Sequence, residues 1–529
     1  MIEVTEKIVT ALVVSCLLCL STVKMLGVMQ QGAYKNAAFF KWLKRKDNLF
    51  FNRLAVLSLC LALASAITSL CFSFLGVEWA HVCSAIPFLG LLFIFWKADG
   101  KYALKVPATR TGRYLRLFGV YYLCTAIGSY AFISLLSLLA VYNGSTLYNL
   151  IAYVPFAVMP ILLPVLLALA NIITRPFEEL RNKKFVKRAG QVLDETQMIT
   201  VGVVGSYGKT SVKNILKSIL SERYTVVVTP SSFNTPAGIA RTVFSEDFAG
   251  KQVFIAEMGA RKAGDIKELC ALVKPTYGVF TGVCRQHIES FGSFDNVYEE
   301  KSEILKCGAK KIVCGNSLRE RMGKEKENVT FACEVEQLCL QATKTSFTLT
   351  LGGEKIEATT ALLGRSGVED IALAATLAYE MGLTVEEIKR GIAKIQPIPH
   401  RLQLIQANGV YILDDGYNCN IVGAKHALEV LSLFEGRTCI VTPGIIECGI
   451  LEKELNGELG KAIARGDYDK VILVGDTLVG VVKDGYQAAG GDKEKLTSVK
   501  TLGEAQTLLS EWIQEGDCVL FLNDLPDAY

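Results

Sequence analysis

"ITVGVVGSYGKTSVKNILKSIL", residues 199–220, passes from an apolar strand through a glycine turn into an amphipathic helix. In the turn, Gly205 and Gly208 let backbone amides approach an anion, Lys209 offers a point charge to outer phosphates, and Thr210 offers a hydroxyl to Mg²⁺. Ser206, Tyr207 and Ser211 complete the loop. The pattern is GSxGK[ST] rather than GxxxxGK[ST], because Val203 stands at the first glycine position. A tight strand-to-helix turn without a ligand is the alternative reading.

Downstream, strands alternate with helices, which calls for a parallel sheet with covering helices, an α/β fold whose ligands gather at the carboxyl ends of strands. "KQVFIAEMGA" (251–260) carries Glu257 at its end, "YGVFTGVCRQHIESFG" (277–292) carries His287, and "VYEEKSEIL" (297–305) places Lys301 on a following helix. A carboxylate and an imidazole near a nucleotide suit a divalent metal such as Mg²⁺. Glu257 equally suits a helix cap, His287 a loop hydrogen bond and Lys301 an exposed helix face. Further strands, "GVYILDDG" (409–416), "RTCIVTPG" (437–444) and "KVILVGD" (470–476), read as a second, smaller α/β (Rossmann-like) domain over 397–529, with Pro397–Pro399 as its hinge.

Upstream the composition changes. The chain of 529 residues is 51% apolar with a mean hydropathy of +0.33, which excludes a disordered chain or a secreted miniprotein. Residues 1–198 hold 20 Lys+Arg against 9 Asp+Glu, net +11, and residues 199–529 hold 36 against 43, net −7. The acidic second half argues against a nucleic-acid partner. Five stretches, 8–28, 54–75, 80–96, 117–141 and 147–173, are apolar enough to cross hydrocarbon. Basic residues cluster in 35–53, 97–116 and 175–188, while the loops at 77–78 and 142–145 have none. The positive-inside rule then sets the N-terminus outside and everything after Arg175 in the cytoplasm of a multi-pass plasma-membrane protein. These residues predict a transmembrane region over 1–175, a basic linker over 176–198, and a central nucleotide domain over 199–396. The sixteen cysteines show no framework spacing and read as reduced. The bundle reads either as an anchor or as a holder of membrane lipid or a lipid-linked molecule.

Together these residues resemble the Mur ligases, ATP-dependent enzymes that join an amino acid or peptide to a carboxylate, over roughly 176–529. The closest branch is the one that adds D-alanyl-D-alanine to UDP-N-acetylmuramoyl-tripeptide. The family's order is kept by "GSYGKTS" (205–211), "FNTPAG" (233–238), "EMGARKAGDI" (257–266), "QHIESFGSFDNVYEEKSEIL" (286–305), "HRLQLI" (400–405), "DDGYNCN" (414–420) and "TPGIIECG" (442–449). The resemblance implies a bacterial cell-wall enzyme with Lys209 and Thr210 on ATP and Mg²⁺. It implies Glu257 and His287 as metal ligands, and Lys301 carbamylated, which turns a cation into a carboxylate-like ligand. It also implies Arg401 and Asp415 as ATP contacts, Asn234 and Thr235 in the substrate loop, and Tyr417, Asn418 and Asn420 beside them.

By the same resemblance the acceptor carboxylate becomes an acyl phosphate, which the incoming amine displaces. Departures lie where substrates are read. Residues 174–198 alone separate the last expected span from the phosphate strand, so membrane segments stand in place of the family's UDP domain. "GRSGVEDIALA" (364–374) puts Gly367 and Asp370 where the family has asparagines, one of which reads adenine, and "FLNDLPDAY" (521–529) replaces a strand used for the dipeptide. The expectation is therefore a membrane-embedded peptidoglycan-type ligase with a lipid-linked glycan or glycopeptide acceptor and an amino acid or dipeptide amine. The first alternative is the D-alanyl-D-alanine-adding enzyme with the spans as anchor, and the second a non-catalytic ATP-sensing membrane protein.

Overall fold

The computed structural model describes residues 2–44, 67, 108–151, 154–231, 233–246, 248–285, 291–323, 327–417, 420–446 and 448–522. The chain divides into two compact units, 1–182 and 183–527.

The first unit is helical, with α1 (Ile2–Ser21), α2 (Val23–Gln31), α3 (Asn36–Leu43), α4 (Gly112–Ile151) and most of α5 (Val154–Thr196). Several of its few hydroxyls and amides find one another among the apolar residues. Thr22 interrupts α1 and α2, its hydroxyl donating to Leu18 O at 2.9 Å and lying 3.0 Å from Tyr121 Oη. Asn171 Nδ2 donates to Asn36 Oδ1 at 2.7 Å and to Tyr34 O at 2.9 Å. Such pairing is what polar groups inside an apolar bundle require.

Among the described residues, Gly112–Leu135 is long and apolar enough to cross a bilayer. Lys7–Leu20 and Val23–Gln31, bent by 53°, would make a second if the pair is one span. The five-span expectation is not supported: one described stretch, within the expected fourth, is long enough by itself, the first is so only as a bent pair, and α4 runs helical through 142–145, where a loop between two spans was expected. The second and third, 54–75 and 80–96, lie outside the described residues, and the fifth, 147–173, lies there in part.

The second unit builds its first sheet from β1 (Ile199–Val204), β2 (Val226–Val228), β3 (Val253–Met258), β4 (Tyr277–Phe280), β5 (Lys311–Cys314) and β6 (Val329–Phe331). The order is β2-β3-β1-β4-β5-β6 and every pairing is parallel. A strand such as β1, buried from Thr200 to Val204, suits such a two-sided position. Val201 and Val203 join one core with the buried faces of α6 (Lys209–Leu220), α10 (Gly364–Glu380) and α11 (Val385–Ala393). Val204, Phe254 and Ala256 join the opposite core with α7 (Pro236–Ser245) and α8 (Asp265–Val273). α9 (Phe294–Ser302) follows β4. An antiparallel sheet of β7 (Val335–Leu340), β8 (Thr345–Leu351) and β9 (Glu354–Thr360) precedes α10.

The second six-stranded sheet holds β10 (Gln403–Ala407), β11 (Val410–Asp415), β12 (Thr438–Thr442), β13 (Lys470–Val474), β14 (Leu496–Val499) and β15 (Cys518–Leu522) in the order β10-β11-β15-β12-β13-β14. Only β10 runs antiparallel to its neighbour. The phosphate loop follows β1, Glu257 and Asp415 lie at the carboxyl ends of β3 and β11, and Arg401 precedes β10, whose antiparallel pairing brings its start to the end of β11.

The helix that leaves the phosphate loop is positioned by a close approach. A Cβ on Gly391 of α11 would lie 2.5 Å from Ile219 Cα of α6, a backbone atom that cannot yield. Gly391→Ala is therefore expected to destabilise the second unit by about 1–3 kcal/mol through overpacking. The check is a lowered denaturant midpoint in the unfolding transition of the full chain.

Candidate active site

Gly208 is the N-cap of α6 at φ +73°, a left-handed conformation that L side chains rarely adopt. A Cβ there would also lie 2.5 Å from Asp370 Oδ1. The loop is strapped from the neighbouring strand: Ser206 N donates to Gly282 O at 2.8 Å, and Thr281 Oγ1 donates to Tyr207 O at 2.5 Å. Tyr207 Oη lies 3.0 Å from Ser317 Oγ. Lys209 is half-buried and its Nζ donates back to Gly205 O at 2.8 Å and to Ser206 O at 3.4 Å. Burial pushes its pKa down, against the pull of Glu257. Ser206 Oγ is buried with no hydrogen-bond partner among the described residues. An orphan hydroxyl, an ammonium folded over the loop and a helix N-terminus all suit an anion.

Glu257 ends β3 and is 1% exposed. Its Oε2 accepts from Thr210 Oγ1 at 2.9 Å and from Lys213 Nζ at 3.1 Å, and its Oε1 accepts from Asn234 Nδ2 at 3.2 Å. All three donors are side chains, so the helix-cap reading of Glu257 is set aside. Burial alone would raise this carboxyl's pKa, but the charges of Lys213 and Lys209 outweigh it and hold the group low and ionised. An ionised carboxylate beside the Thr210 hydroxyl supplies the hard oxygen donors that Mg²⁺ takes.

Lys213 was not singled out in the sequence, although a signal was there. It sits four residues after Lys209 on the apolar stripe of α6, between Val212 and Leu216, where an unpaired cation has no place.

Lys301 is 2% exposed, which replaces the exposed-lysine reading. Burial, followed by repulsion from Lys209, lowers its pKa to about 7. Its neighbour Glu300 holds α9 against α8, accepting from Gly264 N and Ile266 N at 2.7 Å each. His287 and Asn418 lie outside the described residues. Among the described residues no group of three or more His, Cys, Asp or Glu could by itself hold a metal ion.

Residues of the second sheet complete a cleft of about 290 Å³ with the loop, lined in part by Gly208, Ser211, Asp370, Arg401, Asp415 and Tyr417. Arg401 Nη1 donates to Tyr417 O at 2.8 Å and its guanidinium stacks 4.7 Å from that ring. Asp415 Oδ1 accepts from Leu402 N at 3.1 Å. Asn420 also lines the cleft, and it caps α12 (Ile421–Leu431) by accepting from Val422 N and Gly423 N at 3.0 Å each. Thr235 likewise caps α7, accepting from Gly238 N at 3.2 Å. Asp370 is buried, which pushes its pKa well up, and the neighbouring Glu369 charge adds to the rise. A protonated Asp370 offers one donor and one acceptor, as an asparagine amide does.

Two family models match the chain: the Mur ligase middle domain over residues 203–378, and the Mur ligase, glutamate ligase domain over 400–523, together more than half of its length. The UDP-N-acetylmuramoyl-tripeptide--D-alanyl-D-alanine ligase of Escherichia coli is 27% identical over 312 residues, 55% of this chain and 68% of that protein. The enzyme of the same name from Bacillus subtilis is 26% identical over 345 residues, 62% and 74%. Among solved structures, MurF ligase from Thermotoga maritima in complex with ADP aligns with a TM-score of 0.58 at 23% identity, covering 65% of this chain and 80% of that one. MurF from Acinetobacter baumannii aligns with a TM-score of 0.58 at 21% identity, covering 65% and 77%. At these identities the structural likeness carries the fold.

Because Gly208 combines a left-handed backbone with contact to Asp370, Gly208→Ala is expected to weaken nucleotide binding at least about tenfold, equivalent to roughly 1.4 kcal/mol. Titration with a fluorescent ATP analogue reads this directly, and a change under twofold would contradict the loop's assignment.

Proposed function

We propose a function from one premise, that the chain belongs to the Mur ligase family of ATP-dependent carbon–nitrogen ligases: it joins an amine to the carboxylate of a muramoyl-peptide acceptor through an acyl phosphate. The observation that carries this reading is the cluster of Lys209, Thr210, Glu257 and buried Lys301 around the end of β3 and the loop after β1. The naming of relatives as D-alanyl-D-alanine-adding enzymes supports a dipeptide as the amine.

In this reading Thr210 and Glu257 hold Mg²⁺, with His287 and a carbamylated Lys301 as further ligands. When bound, the metal neutralises charge on phosphate oxygens and acts as a Lewis acid. The chain's own residues supply the rest. The loop amides and the Lys209 ammonium, swung from the carbonyls of Gly205 and Ser206, stabilise the negative charge that builds as the acceptor carboxylate attacks the γ-phosphorus. Arg401, Asp415 and Asp370 orient the nucleotide from the facing walls of the cleft. Asn234 and Thr235 present the acceptor, with Tyr417, Asn418 and Asn420 beside it. Attack by the amine then releases phosphate through a tetrahedral intermediate.

A second reading, a lipid-linked acceptor at the cytoplasmic membrane face, is favoured by one observation: residues 1–182 form a unit outside both matched domains and include the apolar stretch Gly112–Leu135. In that reading the N-terminus lies outside the plasma membrane and the bundle grips membrane lipid or the acceptor's lipid tail. The ATP-sensor reading is not retained, because the family is one of ligases.

Full chain purified in detergent, given Mg·ATP, bicarbonate and D-alanyl-D-alanine, is expected to release phosphate with UDP-N-acetylmuramoyl-tripeptide. Stimulation by a membrane lipid extract alone would replace that acceptor with a lipid-linked one, and silence with both would refute the ligase assignment. Lys209→Ala and Glu257→Ala are expected to lower turnover by 10³-fold or more, on the order of 4 kcal/mol in the barrier. Lys301→Ala is expected to lose activity that acetate or another short carboxylate partly restores. Because a neutral amine is what takes up carbon dioxide, activation by bicarbonate should rise with pH through about 7 rather than near 10.

A further inference from the structure

Lys213 is among the most deeply buried large side chains, 1% exposed, and the family chemistry above leaves it unused. Its Nζ donates in two directions. One bond reaches Glu257 Oε2 at 3.1 Å, and the other reaches the carbonyl of Ser231 at 2.5 Å. Ser231 opens the loop that leads to Asn234 and α7, and it holds a left-handed backbone at φ +44°, a conformation costly for serine. That loop is tied to the same carboxylate segment at three further points. Glu257 N donates to Thr229 Oγ1 at 3.0 Å, Gly259 N donates to Asn234 O at 2.7 Å, and Asn234 Nδ2 donates to Glu257 Oε1 at 3.2 Å. One buried ammonium therefore joins the phosphate-loop helix, the metal-binding carboxylate of the proposed function, and the acceptor loop.

A buried carboxylate requires a counter-charge, and the structure offers Lys213 as the resident one. A divalent cation arriving at Glu257 competes with that ammonium for the same oxygen, since two positive charges at one desolvated carboxylate repel. We propose that Lys213 is a positioning residue that couples the cation at Glu257 to the acceptor loop at 229–235: with the carboxylate free of metal, the ion pair clamps the loop, and metal loosens the clamp. The inference rests on the reading of Glu257 as a metal ligand. By reciprocity, an acceptor that draws the loop away from Lys213 strengthens cation binding by the same factor.

The test is amide hydrogen exchange on the full chain, with Mg²⁺ and a non-hydrolysable ATP analogue as the probe, reading two segments together. Protection of 204–212 reports occupancy of the phosphate loop, and its absence would refute the nucleotide site itself. With that protection present, exchange in 229–235 is expected to accelerate at least about fivefold when Mg²⁺ is added to the analogue, the lower end of ordinary coupling. Unchanged or slowed exchange of 229–235 in the wild-type chain would overturn the coupling while leaving the ligase reading intact. In Lys213→Met the loop is expected to exchange fast with or without Mg²⁺, a response under 1.5-fold, while 204–212 stays protected. A Mg²⁺ response of wild-type size in that variant would equally overturn it. The wild-type comparison needs no variant to fold.

Discussion

Everything in the catalytic half is arranged around one buried charge, the Glu257 carboxylate at the end of β3. A lone carboxylate so enclosed would take up a proton rather than stay ionised. It stays ionised because Lys213 and Lys209 face it, with Thr210 and Asn234 completing its hydrogen bonds. The exchange is not balanced, however. Lys209 and Lys301 add positive charge that this carboxylate does not offset, and burial, followed by repulsion from Lys209, drives Lys301 toward neutrality. Three ammonium groups, the unpartnered Ser206 hydroxyl and one ionised carboxylate suit a polyphosphate and its cation. The same imbalance makes a carbamate on Lys301 chemically sensible, since it converts a repelled cation into an anion.

The fold delivers these groups by strand direction. Parallel pairing of β1 with β3 and β4 sets Val203 beside Glu257 and Val204 beside Phe280, so the phosphate loop, Glu257 and Thr281 emerge at one edge. Tight packing then fixes the loop helix, since α11 approaches α6 through Gly391 with no room for a side chain. The second sheet contributes Arg401, Asp415 and Tyr417 to the facing wall of the cleft, and it can do so because the antiparallel pairing of β10 with β11 sets the start of one strand beside the end of the other.

Much of this was legible in the chain itself. The glycine turn at 205–208 announced a strand-to-helix turn with a left-handed Gly208, and alternating strands and helices announced two α/β sheets, because local periodicity and turn chemistry survive folding. Lys301 was less legible: its burial depends on Glu300 tying α9 to α8, a contact between segments far apart in sequence. Lys213 stood on an apolar stripe, yet its partner Ser231 lies in a loop whose path no spacing rule gives. Asn420 and Thr235 illustrate the opposite case, since both serve visibly as helix caps. Apolar length alone named five crossings, and length says nothing of how such helices bend, as Thr22 does between α1 and α2.

In the proposed reaction a carboxylate oxygen, not water, receives the phosphoryl group. The most direct measurement uses UDP-N-acetylmuramoyl-tripeptide labelled with ¹⁸O in its terminal carboxylate, with the full chain, Mg·ATP and D-alanyl-D-alanine, and mass analysis of the phosphate released. One ¹⁸O atom is expected to pass from the acceptor into each phosphate as an amide forms. Phosphate released without the label would show that water attacks instead, and would contradict that reaction.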